Sequence, residues 1–412
     1  MVTLSKLPRR EVDAVKRAKG WVLVHGRRKV GKTFLVRNFI DHDLYVLVKR
    51  GGGALFEGGP LRATDDCDQA VELILKFLDD GKTVVVDEFH RLPPEFLESL
   101  QMHYPNGRLL LLGSSMHVAR EILSKRSPLL GLLSEVRLSL LAPSDIFSAL
   151  SNVLDAEDAL ALSPYLRDPW ALRYLDPDDP KTTVPAILEY ARSAIPSLIG
   201  ETFLDEDRFL SEVYEGILRS FASGKTTLKE ASDMLFSRKV VPVNDPARIR
   251  PYVKTMGGMD LVERVPFYKE RGGQYALRSK IMELHYYLDE KYGPEGTSPS
   301  LVREVVRDRS PLHIQSFVGE LMAEILDGTF NYHAASDHDV DFIVTKRNRP
   351  ILVGEVKWTR HVSRGDAIRF GRNTEHFDCK KVLVSKAHVD GIDSLTPDDL
   401  LKRAKAHRSR LT

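Results

Sequence analysis

Cysteine is scarce in this chain: Cys67 and Cys379 are the only two in 412 residues, distant from each other and outside any metal-ligand spacing. That argues against a disulfide framework and fits a reducing interior. No apolar run approaches the roughly 20 residues that a membrane helix needs. The opening stretch MVTLSKLPRREVDAVKRAKG also lacks the apolar centre of a signal peptide, so no membrane partner is expected and the location expected is cytoplasmic. There is no excess of one charge either. Sixty Lys and Arg against 58 Asp and Glu leave +2, so a polyanionic partner would have to be met by a local patch. Internal repeats and low-complexity tracts are absent.

What is present is the composition of a folded protein, with 42% hydrophobic and 29% charged residues. The length suits two to four domains. Short apolar runs at 21–25, 44–48, 83–87, 108–113 and 134–140 read as buried strands, with helical spacing near 31–40, 67–79, 94–102 and 116–124 between them. Such alternation predicts a parallel α/β sheet. From Pro143 to about Leu198 the pattern is helical, punctuated by SPYLRDPW and LDPDDP, and reads as a small lid. Helices near 207–221, 227–237 and 246–256 then precede two alternating runs joined by Gly272 and Gly273, the element order of a winged helix. The segment KYGPEGTSPS (291–300) has linker composition, and a second α/β pattern follows it.

The run from Gly26 to Thr33 (Gly26, Arg27, Arg28, Lys29, Val30, Gly31, Lys32, Thr33) is G-x-x-x-x-G-K-T between a strand and a helix. Its glycines let backbone N–H groups wrap onto phosphate oxygens, and the helix start adds its positive dipole end. Lys32 can reach the β- and γ-phosphates of ATP, and the Thr33 hydroxyl can ligand Mg²⁺. Downstream, the strand of TVVVDEFHR ends in Asp87 and Glu88. Asp87 is the candidate metal-holding acid and Glu88 the candidate general base, although the pair could instead cap the next helix. In RLLLLGSSMH, Ser114 is a candidate γ-phosphate sensor or an ordinary strand-end serine. Glycines 51–53 and 58–59 are not followed by lysine and a hydroxyl residue at this spacing, so they read as a mobile loop.

HGRRKVGKTFLV, VVVDEFHR, LLLLGSSMH and SKRSPLLG resemble the archaeal-type ATPases of the AAA+/STAND-related group, and the likeness extends through the lid and the winged helix. In that group an arginine that acts in trans usually follows the SPL-x-G segment directly, and a homo-oligomer is a possible assembly. Here the segment reads SPLLGLLSEVR, so Arg126 and Arg137 are the substitutes to test, with a plain surface charge as the alternative for each. RDPWALRYL likewise stands where relatives carry a glycine-glycine-x-proline turn.

In the C-terminal block, HDVDFIVTK carries Asp341, and ILVGEVKW carries Glu355 and Lys357 on one strand face, as site residues or as a plain surface ion pair. Glu320, in HIQSFVGELMAEIL, could approach from a helix. Three carboxylates brought together would need a divalent cation, Mg²⁺ or Mn²⁺, with Glu320, Asp341 and Glu355 as ligands. Lys357 would then act on the attacking water or on developing charge. The arrangement resembles the PD-(D/E)xK nuclease superfamily, in particular the nuclease-like domain that archaeal ATPases carry at the C-terminus. It implies Asp341, Glu355 and Lys357 as catalytic residues, or a non-cutting docking module on the same fold. His333 and His338 lie nearby in sequence and read as solvated.

The helix DPARIRPYVKTM offers Arg248, Arg250 and Lys254 for nucleic-acid phosphates or as a plain solvated face. The basic run LKRAKAHRSRLT could lie on a nucleic-acid backbone or dangle. The expected architecture is thus a P-loop core over 1–142, a lid over 143–204, a winged helix over 205–292 and a restriction-endonuclease-like α/β domain over 299–412. The expected function is ATP hydrolysis coupled to cleavage or binding of nucleic acid, foremost DNA. The alternative is a nucleotide-gated scaffold whose nuclease-like domain does not cut.

Overall fold

The apolar runs of the first 140 residues lie side by side in one sheet of the computed structural model, which describes residues 9–125, 127–190, 192–205, 211–293, 297–333 and 340–411. The elements are α1 (Glu11–Arg17), β1 (Trp21–His25), α2 (Lys32–Phe39), β2 (Leu44–Val48), β3 (Ala54–Glu57), β4 (Ala63–Thr64), α3 (Cys67–Asp79), β5 (Thr83–Asp87), α4 (Glu95–His103), β6 (Arg108–Gly113), α5 (Met116–Ile122) and β7 (Leu133–Arg137). The strand order is β4-β3-β2-β5-β6-β1-β7. The five strands from β2 to β7 in that order are mutually parallel, as the alternation predicted.

The strands read as continuous apolar runs because both sheet faces are covered. Trp21 and Leu23 enter one hydrophobic cluster while Val22 and Val24 enter the other, and β5 and β6 divide the same way. Burying each such side chain contributes about 1.5–3 kcal/mol. With β1, β5 and β6 adjacent and parallel, their C-terminal ends share one edge. The loops carrying Gly26, Asp87 and Ser114 therefore meet there, where open α/β sheets bind ligands.

Glycines 51–53 and 58–59 lie in the turns on either side of β3 rather than in one long loop. Strand β3 pairs antiparallel with β2, and β4 antiparallel with β3, which extends the sheet beyond β2. Gly53 and Gly58 take positive φ (72° and 78°), and a Cβ at either would come within 2.3 Å of a backbone oxygen. This approach of distant segments leaves no local apolar signal. The strand expected at 134–140 ends at Arg137, after which Leu138 N–H donates to His25 C=O at 2.7 Å.

The remaining elements are α6 (Pro143–Leu150), α7 (Ala156–Leu166), α8 (Pro180–Tyr190), α9 (Ala194–Asp205), α10 (Glu212–Ala222), α11 (Leu228–Ser237), α12 (Pro246–Gly258), β8 (Val262–Pro266), β9 (Gly273–Leu277), α13 (Lys280–Tyr292), α14 (Pro299–Ile325), β10 (Thr329–Asn331), β11 (Phe342–Lys346), β12 (Arg349–Lys357), α15 (Arg364–Thr374), β13 (Lys380–Ser385), β14 (Ser394–Leu395) and α16 (Pro397–Leu411). The described residues form two compact units, divided at 139/140 and within α9 at 197/198 rather than at 142 and 204. Residues 198–205 group with the P-loop sheet, and α6 to α8 with everything C-terminal to α9. The reason lies in specific bonds. Glu324 of α14 accepts from Ser144 N and Oγ at 3.0 and 2.7 Å, and Tyr165 Oη lies 3.0 Å from both Ser310 Oγ and His313 Nδ1.

Helices α10 to α12 precede the antiparallel hairpin β8–β9. That hairpin joins the edge of the second sheet, ordered β10-β11-β12-β13-β14: Tyr268 N donates to Tyr332 O at 2.8 Å, and Tyr332 N to Pro266 O at 3.0 Å. The basic C-terminal run does not dangle. It lies in α16, where Arg408 bonds the buried Asp145 of α6 at 3.0 Å and His407 lies 3.7 Å from Glu324, while Lys402, Lys405 and Arg410 remain exposed. No helix among the described residues is long and apolar enough to cross a membrane.

Candidate functional site

The loop after β1 closes on itself. Lys32 is 6% exposed and donates from Nζ to the carbonyls of Gly26 at 2.6 Å and Arg27 at 3.1 Å, which holds its ammonium inside the ring of the loop. A Cβ on Gly26 would lie 2.0 Å from the Leu138 oxygen, and Gly31 takes φ 92° at the N-cap of α2, so both positions require glycine. The four residues between the glycines offer backbone rather than a common side-chain surface. Val30 is fully buried in the core, Arg27 is buried, Lys29 is exposed at φ 63°, and Arg28 reaches Glu201 at 3.4 Å.

The acids sit where the sheet edge brings them. Asp87 is 2% exposed; its Oδ2 accepts from Thr33 Oγ1 at 2.6 Å and from Tyr45 Oη at 2.5 Å, while its Oδ1 is buried with no hydrogen-bond partner. An orphaned, desolvated carboxylate oxygen beside a helix-start hydroxyl has the chemistry of a Mg²⁺ ligand pair, so Thr33 and Asp87 fit the ion. Glu88 takes φ 60°, ψ 37° just past β5. Its Oε2 lies 3.1 Å from Arg91 and accepts from Ser114 Oγ at 3.2 Å. The candidate base and candidate sensor are thus bonded to each other. Ser115, the neighbour of Ser114, is an ordinary helix cap, accepting from Val118 N at 3.1 Å. Arg137 lies exposed on the edge strand β7, and Arg126 falls outside the described residues.

Three participants carried no sequence signal. Arg9 binds Val30 O at 2.6 Å and Ser139 O at 3.0 Å, and its other side-chain N–H groups hold Glu11. His25 Nε2 lies 2.8 Å from Glu135 Oε1, yet burial, the larger effect, pulls its pKa below the ordinary value. Tyr45 is the third. A general rule, that residues at strand C-ends and on the neighbouring strand share the crevice, could have pointed to His25 and Tyr45, but not to Arg9, which lies ahead of α1.

In the second sheet, Phe342 pairs with Gly354, which sets Asp341 beside Glu355. Asp341 N donates to Gly354 O at 3.1 Å, and its Oδ2 accepts from Val356 N at 2.6 Å. Glu355 is 6% exposed; Oε1 lies 2.5 Å from Lys357 Nζ, and Oε2 is buried without a partner. Burial lowers the Lys357 pKa, but the Glu355 hydrogen bond and the charges of Glu355, Asp341 and Asp366 outweigh it, so the net shift is upward. Lys357 is thus held as an ammonium against Glu355.

Glu320 does not join them. Its carboxylate is taken by Arg167 Nη1 at 2.5 Å, and Arg167 is itself buried and fixed by Nε to Leu141 O at 3.0 Å. A guanidinium already neutralises this acid, removing the charge a cation would compensate. Among the described residues no group of three His, Cys, Asp or Glu could hold a metal ion, so the expected three-carboxylate centre is not assembled, and Asp341 and Glu355 stand together without Glu320. His333 packs against His376 and Phe377 with ring centroids 5.9 and 5.6 Å away, and His338 lies outside the described residues.

Helix α12 buries Ile249, Val253 and Met256 and exposes Arg248, Arg250 and Lys254. Arg250 and Lys254 share with Arg264, Glu263 and Tyr275 a groove of about 320 Å³ against β8–β9, whereas Arg248 faces elsewhere on the helix.

Residues 18–137, from just before β1 to the end of β7, match the family model of the AAA domain. No curated protein sequence matches the chain. Among solved structures, the chain is similar to the Walker-type ATPase PABY2304 of Pyrococcus abyssi (17% identity, 69% of this chain and 95% of that one, TM-score 0.49). It is also similar to the ORC2 protein of Aeropyrum pernix in ADPNP–ADP complexes (13%, 75% and 94%, TM-score 0.38) and to the ORC1 protein of the same organism in complex with DNA (15%, 69% and 90%, TM-score 0.31).

Proposed function

We propose that this AAA-domain chain binds and hydrolyses ATP at the loop Gly26–Thr33. The observation that carries it is the Thr33–Asp87 bond of 2.6 Å beside the buried, unpartnered Asp87 Oδ1. The loop amides, Lys32 and the α2 N-terminus would hold the phosphates. Thr33 and Asp87 would hold Mg²⁺, which when bound neutralises charge on the β- and γ-phosphate oxygens. Glu88, at the crevice edge, would orient and deprotonate the attacking water once its oxygen exchanges Arg91 for that water. The test is Glu88→Gln. It should retain Mg²⁺-dependent ATP binding and lose turnover by about 10² or more, and equal loss of binding would remove Glu88 from this role.

A second activity has its own support in the buried, unpartnered Glu355 Oε2 beside Asp341 and Lys357. The C-terminal sheet would act on nucleic acid, foremost DNA, in the manner of PD-(D/E)xK nucleases. Asp341 and Glu355 would hold Mg²⁺ or Mn²⁺, and the Lys357 ammonium would face the charge that develops on phosphate. The 205–292 segment would serve as a winged helix, with Arg250 and Lys254 on backbone phosphates. A chain that binds nucleic acid without metal-dependent cleavage would be the nucleotide-gated scaffold instead.

A further inference from the structure

Tyr45 is a buried phenol whose placement is not explained by packing alone. It sits on β2, with Tyr45 opposite Val85 and Leu47 opposite Asp87, so it lies diagonally across the parallel pair from the acid. Its Oη reaches Asp87 Oδ2 at 2.5 Å, the same oxygen that accepts from Thr33 at 2.6 Å. The Tyr45 side chain is 4% exposed. Its aim is fixed from the side by the Arg37 guanidinium 5.1 Å from the ring centroid, Arg37 being itself bonded to Glu57, and by the His42 ring at 5.6 Å.

Two donors on one carboxylate oxygen have a definite consequence. Both in-plane lone pairs of Oδ2 are used, and all remaining acceptor capacity falls on Oδ1, which is buried and unpartnered. Without the phenol, Thr33 alone holds Oδ2. The carboxylate can then rotate to satisfy either oxygen, and the direction of its free lone pairs is no longer set. We infer that Tyr45 is a positioning residue that locks the Asp87 carboxylate with Oδ1 turned toward the divalent cation of the bound nucleotide. This rests on the proposed ATP site.

The test is Tyr45→Phe, which keeps the ring in its packed place and removes one hydroxyl. Nucleotide binding is measured on the full chain by calorimetry, in EDTA and across a Mg²⁺ series. A hydrogen bond to a charged group corresponds to roughly ten-fold or more in an equilibrium constant. The expected result is therefore unchanged affinity in EDTA, together with a Mg²⁺ midpoint raised about ten-fold. A wild-type Mg²⁺ midpoint in Tyr45→Phe overturns the inference while leaving the ATP site standing. Equal weakening with and without Mg²⁺ also overturns it, since that is what a merely structural hydroxyl would give. If the wild-type chain itself binds no nucleotide in Mg²⁺, the proposed ATP site fails, and this inference with it.

Discussion

The carboxylate of Glu320 lies 2.5 Å from the guanidinium of Arg167, 153 residues away in sequence, with the two side chains 19% and 9% exposed. Removing one partner of such a pair leaves a desolvated charge uncompensated, at a cost on the order of 3 kcal/mol. Glu320→Ala is therefore expected to lower the unfolding midpoint in denaturant while leaving Mn²⁺ affinity unchanged. Loss of Mn²⁺ binding without loss of stability would return Glu320 to the metal centre.

His285 gives the fold an acid sensitivity. It is buried on α13, and burial, with Arg192 and Arg219 adding to it against Asp289 and Glu215, lowers its pKa to about 4. Between about pH 6.5, its ordinary value, and about pH 4 the unfolded chain binds a proton that the folded chain does not. Stability should therefore fall as pH drops through that window and gain no further slope from this group below it. His285→Gln should flatten the dependence, as read from unfolding midpoints between pH 4 and 7. An unchanged slope would place the sensitivity elsewhere.

The nucleic-acid activity is tested by separating binding from chemistry. Arg250→Ala with Lys254→Ala should reduce the steepness with which binding falls with salt, by roughly one unit for each phosphate no longer neutralised. Asp341→Asn should abolish metal-dependent cleavage. Lys357→Ala should keep metal at the site while slowing cleavage by about 10². Equal degradation by wild type and Asp341→Asn would end the nuclease proposal and leave the scaffold.

Much of the P-loop sheet was legible because fully buried parallel strands are written as local apolar runs, Val84 to Val86 being an example, and because Gly26 to Thr33 is a contiguous motif. What was not legible is held by distance. Tyr45 and Asp87 are 42 residues apart, and their hydrogen bond depends on β2 pairing with β5. Arg9 supports the P-loop from 21 residues upstream of Val30, with nothing in its neighbourhood to mark it. Glu320 was misplaced for the same reason. Its helix and its spacing from Asp341 suited a metal ligand, and only the fold reveals that Arg167 had already taken it.

The most direct test of the central claim is a calorimetric titration of ATP in Mg²⁺ into wild type and Lys32→Ala. Lys32 closes the loop through the Gly26 and Arg27 carbonyls and is placed to meet the phosphates. Saturable binding by wild type, weakened by about ten-fold or more in a folded Lys32→Ala, is the expected result. Equal affinity in the two proteins, or no binding by wild type, would contradict the assignment of this loop as a nucleotide site.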